Sequence, residues 1–172
     1  VEQGIRRCEE IKRQSTSKRL EATAMLIGGS LKAASGALDG GRAEAAAGRT
    51  LFEELGDVVW WAGTSMVLGE IELNAGANER AYELLSDGHA RLAQYQETGY
   101  LSTVVGLRAQ AALELGRVDE ALELADETER LAQPDDFEPH ARLRMVRARA
   151  LGRRGEIDAA DDLIREAAEI VE

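Results

Sequence analysis

Four glycines in this chain are each followed five residues later by an alanine, in "LDGGRAEAAAG", "NAGANERAYEL", "ELGRVDEALEL" and "GRRGEIDAADD". The pairs are Gly40/Ala45, Gly76/Ala81, Gly116/Ala121 and Gly155/Ala160, at spacings of 36, 40 and 39 residues. Seven positions before each glycine stands another small residue: Ala33, Gly69, Ala109 and Ala148. A third column carries Leu85, Ala125 and Ile164 on the following segment and is interrupted at Arg49. Self-similarity at a period of this size marks a chain built from stacked supersecondary units. In each unit the glycine ends one helix, because left-handed backbone costs it little. Asn78, Asp119 and Asp158 follow two or three residues later as predicted N-caps of the next helix. The small residues on either side let two antiparallel helices approach closely. Such a hairpin has an apolar face that only its neighbours can cover.

The rest of the sequence agrees with a helical array. Apolar residues make up 44% but aromatics only 4%, so the core is expected to be Ala, Leu, Val and Ile. The 172 residues suffice for one repeat domain, which buries roughly 70% of its unfolded surface. Two prolines and few β-branched runs argue against strands. The pattern predicts helices at about 2–13, 17–38, 42–55, 58–74, 78–97, 100–114, 118–132, 138–153 and 157–171. That is an N-terminal helix followed by four hairpins, over 17–55, 58–97, 100–132 and 138–171. The fold class expected is all-α, a right-handed α-solenoid spanning 1–172 as a single domain.

"LRAQAALELGRVDEALELADETERL" resembles a tetratricopeptide (TPR) repeat, with Ala109, Gly116 and Ala121 at its small-residue positions. The likeness covers nearly the whole chain. The sequence departs from the family pattern in its longer period and in small residues, such as Gly36 and Ala112, where large aromatics are usual. A narrower likeness rests on "GYLSTVVGLRAQAALELGR", "AQPDD" and "RMVRARALGRRGEIDAA". These are similar to the C-terminal repeat region of large bacterial signalling proteins that also carry a class III adenylate/guanylate-cyclase-like domain and a STAND-type ATPase. That resemblance implies a sensor or interaction region whose catalytic parts lie upstream. The high Arg to Lys ratio, with abundant Ala and Gly, fits a GC-rich bacterial genome. The chain opens on Val1 without methionine and stops within a helical pattern at "AAEIVE", and is expected to be a piece of a longer protein.

"GDVVWWAGTSMVLGE" sets Trp60 beside Trp61 in a chain with seven aromatic residues. Neighbouring helical residues point about 100° apart, so a helix with one apolar stripe does not bury both. A first helix of a stacked repeat packs against its own partner and against the next repeat, and so buries a wide arc. Trp61 continues with Ser65 and Leu68 on one line, and Trp60 with Thr64, Val67 and Ile71 on the adjacent one. Both tryptophans are therefore expected to be structural. The alternative is a small-molecule sensor with a pocket lined by Trp60, Trp61, Met66 and Tyr100.

No motif places an active site, and neither cofactor nor metal is expected. "GALDGGRA" approaches the phosphate-cradling loop, but Arg42 and Ala43 replace its lysine and hydroxyl, and helix rather than strand precedes it. His89 and His140 lie on different repeats without a second histidine at ligand spacing. Asp135, Asp136, Glu138 and His140 in "PDDFEPH" lack the glycine-punctuated alternation of a calcium loop, and acids with proline are usual at a helix start. Cys8 reads as a small buried apolar group, and Ser15, Thr16 and Ser17 as helix caps. One cysteine forms no internal disulfide and fits a reducing, cytoplasmic setting. No apolar run reaches the ~18 residues of a membrane span. A net charge of −11 repels phosphate backbones, which argues against nucleic acid as partner.

The charge is unevenly placed. Residues 119–138 hold nine acids and one base, 142–154 six arginines and no acid, and 156–172 seven acids and one base. Arg142, Arg149 and Arg153 fall on one line of a helix. In tetratricopeptide arrays that line faces the concave groove where peptides dock. Translated to the other repeats it carries Met66, Glu70 and Asn74, then Thr103, Gln110 and Glu114. The function expected is protein–protein interaction or regulation, through a polar groove whose arginine stripe suits a carboxylate or acidic segment, or other domains of the parent chain. The competing reading is a spacer that self-associates through an apolar end face of Ile164, Ala168 and Val171.

Overall fold

A computed structural model describes the backbone of residues 1–171 and the side chains of residues 1–169. Among the described residues there are nine helices and no strand: α1 Glu2–Gln14, α2 Lys18–Ala34, α3 Leu38–Glu54, α4 Val58–Asn74, α5 Asn78–Gln94, α6 Leu101–Glu114, α7 Val118–Leu131, α8 Phe137–Arg154 and α9 Ile157–Val171. Each helix packs on its sequence neighbours. The even-numbered helices α2, α4, α6 and α8 also run against one another in series, whereas the odd-numbered backbones do not meet among the described residues. Four hairpins, α2/α3 to α8/α9, are therefore stacked in two layers, with the even helices as the continuous inner layer. α1 precedes them.

The first hairpin corrects the sequence register. Its turn glycine is Gly36, with φ +93°, in line with Gly76, Gly116 and Gly155 at +72°, +78° and +82°. The turns are thus 40, 40 and 39 residues apart. Gly40 instead lies exposed in the first turns of α3, and α2 ends at Ala34 rather than near 38. In the corrected register Gly29 stands seven residues before the turn, Gly41 five after and Ala45 nine after. Arg49 no longer interrupts any column. The gain is physical. A Cβ on Gly29 would lie 2.7 Å from the Gly41 carbonyl oxygen, and one on Gly41 2.6 Å from that of Gly29. The two backbones touch where the other hairpins have Gly69/Ala81, Ala109/Ala121 and Ala148/Ala160.

The turns also revise the capping. Ala37, Asp57, Ala77, Glu97, Arg117 and Glu156 each donate their backbone N–H five residues back, to Lys32, Phe52, Glu72, Leu92, Ala112 and Leu151, at 2.9–3.0 Å. This six-to-one bond closes the preceding helix, and at every one of these turns but that of Glu97, where α6 starts only at Leu101, the donor directly precedes the next helix. Asn78 is accordingly the first residue of α5, and Asp119 and Asp158 are the second of α7 and α9, too far in to cap. At Ala77 and Arg117 no side chain caps. Acids in these first turns act on the helix dipole instead. Ser17 and Asp57 do cap, accepting from the backbone N–H of Leu20 and Trp60 at 3.4 and 3.3 Å. α5 ends at Gln94, three residues short of its predicted end, with Gln96 at φ +53°.

Two apolar clusters fill the stack. The larger is centred on α6, where Val104, Val105, Leu107 and Leu113 are fully buried; the smaller surrounds Phe52, Leu68 and Ile71. Trp61 packs against both. Trp60 stacks on Phe52 with ring centroids 5.5 Å apart and meets Tyr100 at 6.1 Å, tilted by 58°. Arg49 lies 4.0 Å over the Trp61 ring and Arg91 5.3 Å from it. Helix α4 thus has two buried sides, and the paired indoles join the first hairpin to the third.

Neighbouring glycines give opposite expectations in urea unfolding. Gly40→Ala, with open space around it, is expected to stabilise by about 0.5–1 kcal/mol. Gly41→Ala is expected to destabilise by about 1–3 kcal/mol because the α3 backbone cannot retreat from α2. Gly36→Ala, forced into left-handed backbone, is expected to cost about 1–2 kcal/mol. If Gly40→Ala cost more than Gly36→Ala, the turn would be misplaced.

Candidate functional site

The line of side chains projected from the repeat is largely assembled on the inner layer. The Arg142 guanidinium donates from Nη1 to Gln110 Oε1 at 2.7 Å and from Nε to Glu138 Oε1 at 2.7 Å. Its Nη2 lies 3.7 Å from Glu70 Oε1. Arg149 Nη2 reaches Glu114 Oε1 at 2.6 Å, and Arg153 Nη2 stands 3.5 Å from Glu114 Oε2 while its Nη1 donates to the Leu113 carbonyl. Glu70 belongs to α4 and Arg142 to α8, two hairpins on. A side-chain bridge over that interval is expected on the inside of a curved stack, so the geometry supports this as the concave face.

Three of the nine projected residues stand apart from the network. Met66 is half-buried and packs against the larger core cluster. Thr103 is half-buried and Asn74 exposed, and neither is among the described hydrogen-bond or ion-pair partners of the three arginines. The arginine line is also not a bare cationic stripe. Arg142 is held by Glu138 and Glu70, and Arg149 and Arg153 share Glu114, so three carboxylates face three guanidiniums. The ion pairs are part-exposed, where each contributes little to stability. They are exchangeable.

Beside this network lies a cleft of about 350 Å³, lined by Gln110, Phe137, Glu138, Ala141, Arg142, Met145, Val146 and Arg149. Phe137 is 62% exposed and Met145 42%. Both lie on α8, eight residues apart, with Ala141 between them, so they form an apolar strip one helical line from the arginines. The sequence pattern does not reveal this strip, because an apolar residue on an amphipathic helix is ordinarily core. The signal it offers is positional: Met145 corresponds to Gly106, which the next hairpin covers with Arg142.

The other sequence candidates fall elsewhere. Trp60 packs against Tyr100 with ring centroids 6.1 Å apart. A smaller cleft of about 120 Å³ by Trp61 is bounded by Phe52, Glu53, Gly56, Asp57, Val58 and Arg91. His140 Nε2 lies 2.9 Å from the Gln133 carbonyl oxygen, and Asp136 accepts from the Gln133 N–H at 3.0 Å, which orders the turn before α8. Among the described residues no group of three His, Cys, Asp or Glu is placed to hold a metal ion, and no helix is long and apolar enough to cross a membrane. Ile164 and Ala168 are exposed as the end-face reading expects, while the Val171 side chain lies outside the described residues.

No protein-family model matches this chain. No curated protein matches it either. Among solved structures it is similar to a Podosopora anserina chain described as a kinesin light chain with nearly identical TPR-like repeats, with a TM-score of 0.67 at 15% identity. A single-substitution variant of that protein gives 0.69 at 16%. Each alignment covers 96% of this chain and 84% of the other. At such identity the likeness is one of fold: a TPR-like helical-repeat solenoid.

A second charged constellation, on the joint between the second and third hairpins, is invisible in the sequence. Arg108 donates to Tyr82 Oη at 2.7 Å and to His89 Nδ1 at 3.1 Å, and lies 3.5 Å from Glu120, to which Tyr82 also donates. Since a guanidinium only donates, His89 Nδ1 accepts, and the neutral ring directs its Nε2–H at Glu127, 3.3 Å away. Burial lowers the His89 pKa, Arg108 adds to this, and Glu127 only partly offsets them. The unfolded ring titrates near pH ~6.5. Below that pH the unfolded chain takes up a proton that the folded one resists, so stability falls as pH drops from about 6.5 through the folded pKa. His89→Gln is expected to flatten that part of the urea-midpoint profile. An unchanged slope would remove His89 as its origin.

Proposed function

We propose that this chain is a protein-interaction scaffold of the TPR type, which binds a segment of a partner along the inner layer of α4, α6 and α8. The observation that carries the reading is the adjacency of an uncovered apolar strip, Phe137–Ala141–Met145, to exchangeable ion pairs at Arg142, Arg149 and Arg153. A partner segment with one or two large apolar side chains covers the strip. Its carboxylates replace Glu138 and Glu114 on the guanidiniums, trading one charge-assisted pair for another at small net cost. Specificity then comes from fixed spacing: the rigid α8 holds both kinds of group one helical turn apart. Met66, Glu70, Asn74, Thr103, Gln110 and Glu114 extend the surface towards the first hairpin. The partner is a protein or peptide, and acidic.

The finer reading is a sensor or interaction region of a bacterial multidomain signalling protein with cyclase-like and ATPase domains. It rests on the likeness in "GYLSTVVGLRAQAALELGR" and "RMVRARALGRRGEIDAA". Sequencing the reading frame upstream tests it: absence of a nucleotide-handling domain would remove it. A self-association reading draws on a different observation. Of the exposed large apolar residues among those described, Val1, Leu20 and Ile27 lie towards one end of the array and Phe137, Met145, Ile157 and Ile164 towards the other.

The test is titration of an acidic, leucine-containing helical peptide by calorimetry. Arg142→Ala/Arg149→Ala/Arg153→Ala is expected to weaken binding by tenfold or more (about 1.4 kcal/mol). Glu114→Gln, which frees two arginines, is expected to strengthen it. Equal affinity across all three chains would exclude the α8 line. Sedimentation that depends on concentration, with no peptide bound, would favour the end faces instead.

A further inference from the structure

α1 stands to α2 as α3 stands to α4. Both pairs are joined by three residues, and both first helices end 40 residues apart, at Gln14 and Glu54. α1 thus takes the place of a hairpin's second helix, and a 40-residue shift compares its joint with those further along the array. Lys12 falls on Phe52 and then Leu92; Glu44 falls on Leu84 and then Leu124. Phe52 and Leu84 share the smaller apolar cluster, and Leu92 and Leu124 share the larger. At the first joint the same two positions hold an ion pair, Lys12–Glu44.

That pair belongs to a four-charge cluster. Lys32 Nζ lies 2.7 Å from Glu44 and 2.9 Å from Glu9, and Lys12 Nζ 2.9 Å from Glu9. The Glu44 side chain is 9% exposed and that of Lys12 16%. The Glu9 carboxyl is pulled down to about 2 by its hydrogen bonds from Lys32 and Lys12. Cys8, which falls on Gly48 and Gly88, is the sole buried residue of α1 among the described ones. Gly28 makes room for it: a Cβ there would lie 3.3 Å from Cys8 Cβ and 3.0 Å from Glu44 Oε1. Among the described residues the α1 backbone packs on α2 alone.

The two kinds of joint respond differently to water. Separating Phe52 from Leu84 exposes apolar surface and has no compensating term. Separating Lys12 and Glu9 of α1 from Glu44 and Lys32 breaks the two pairs that cross the joint and returns their charges to water, which recovers the desolvation cost of holding them. Opening the first joint therefore demands less free energy than opening any interior one, and the free energies of local opening decide which segment moves alone.

We propose that α1 is detachable: its ionic joint opens while the four hairpins stay folded, baring the α2 face around Gly28 and Leu31. The α1–α2 joint then has a closed and an open state, and any ligand that prefers one of them shifts the balance.

Cys8 is the only cysteine, so its modification reports the joint. The full chain is labelled with a chromogenic aromatic disulfide at pH 8 across urea concentrations below the global transition. The expected rate exceeds the one permitted by global unfolding by about a hundredfold or more and depends only weakly on urea, as a local opening does. A rate with the urea slope of global unfolding would overturn the proposal. Lys12→Leu/Glu44→Leu restores the interior pairing and is expected to slow labelling by about tenfold or more without lowering the global midpoint. Wild-type labelling in that folded variant would equally overturn it, because the charges would then not set the opening.

Discussion

Where α2 and α3 cross, each backbone carbonyl sits 2.6–2.7 Å from the point where a Cβ of the other helix would be, so neither Gly29 nor Gly41 has room for a side chain. The same two register positions hold Gly69/Ala81, Ala109/Ala121 and Ala148/Ala160 in the other hairpins. Close contact between partners has two consequences. It consumes little apolar volume within a hairpin, which suits a chain with 4% aromatics. It also leaves the larger apolar side chains free to point at the neighbouring hairpins. Trp60 and Trp61 accordingly sit between repeats, and cohesion is distributed along the stack.

Polar contacts set the order of that stack. Arg49–Asp87, His89–Glu127 and Tyr82–Glu120 each join residues 38 apart, and Arg42 grips the buried Glu72 with two hydrogen bonds at 2.6 and 2.9 Å. Part-exposed pairs of this kind contribute little individually. Their value is that a slipped register would leave several unpaired at once. The same chemistry has different consequences at the two ends. At α1 it stands in for the apolar pair of the later joints, and at α8 it surrounds an uncovered apolar strip.

Helix number, hairpin order and the two-sided burial of α4 were legible because each follows from a period and a residue size. The first turn was not. "SGALDGGRAEAAAG" offers glycines at 36, 40 and 41, and Gly40/Ala45 satisfies the same spacing that Gly36/Gly41 satisfies in three dimensions. What separates them is the Gly29 carbonyl, a contact no spacing rule contains. The caps failed for a related reason: a turn already closed by a six-to-one backbone bond has no residue left for Asn78 or Asp119 to occupy as a cap. On the inner face, Arg142, Arg149 and Arg153 could be placed on one line from helical geometry alone. Their carboxylate partners Glu70 and Glu114 come from other helices, and the bridge from α4 to α8 depends on curvature that a linear pattern does not encode. Phe137 and Met145 escaped because exposure is decided by what lies beyond them, not by their own residue type.

The dependence of each hairpin on its neighbours is the claim to test first. Circular dichroism of residues 58–97 alone, set against the whole chain under the same conditions, measures it directly. With its outward apolar residues exposed to water, the single hairpin is predicted to show only a small fraction of the helicity per residue of the full array and to melt without cooperativity. A lone hairpin as helical as the intact protein, with a sharp thermal transition, would contradict the account.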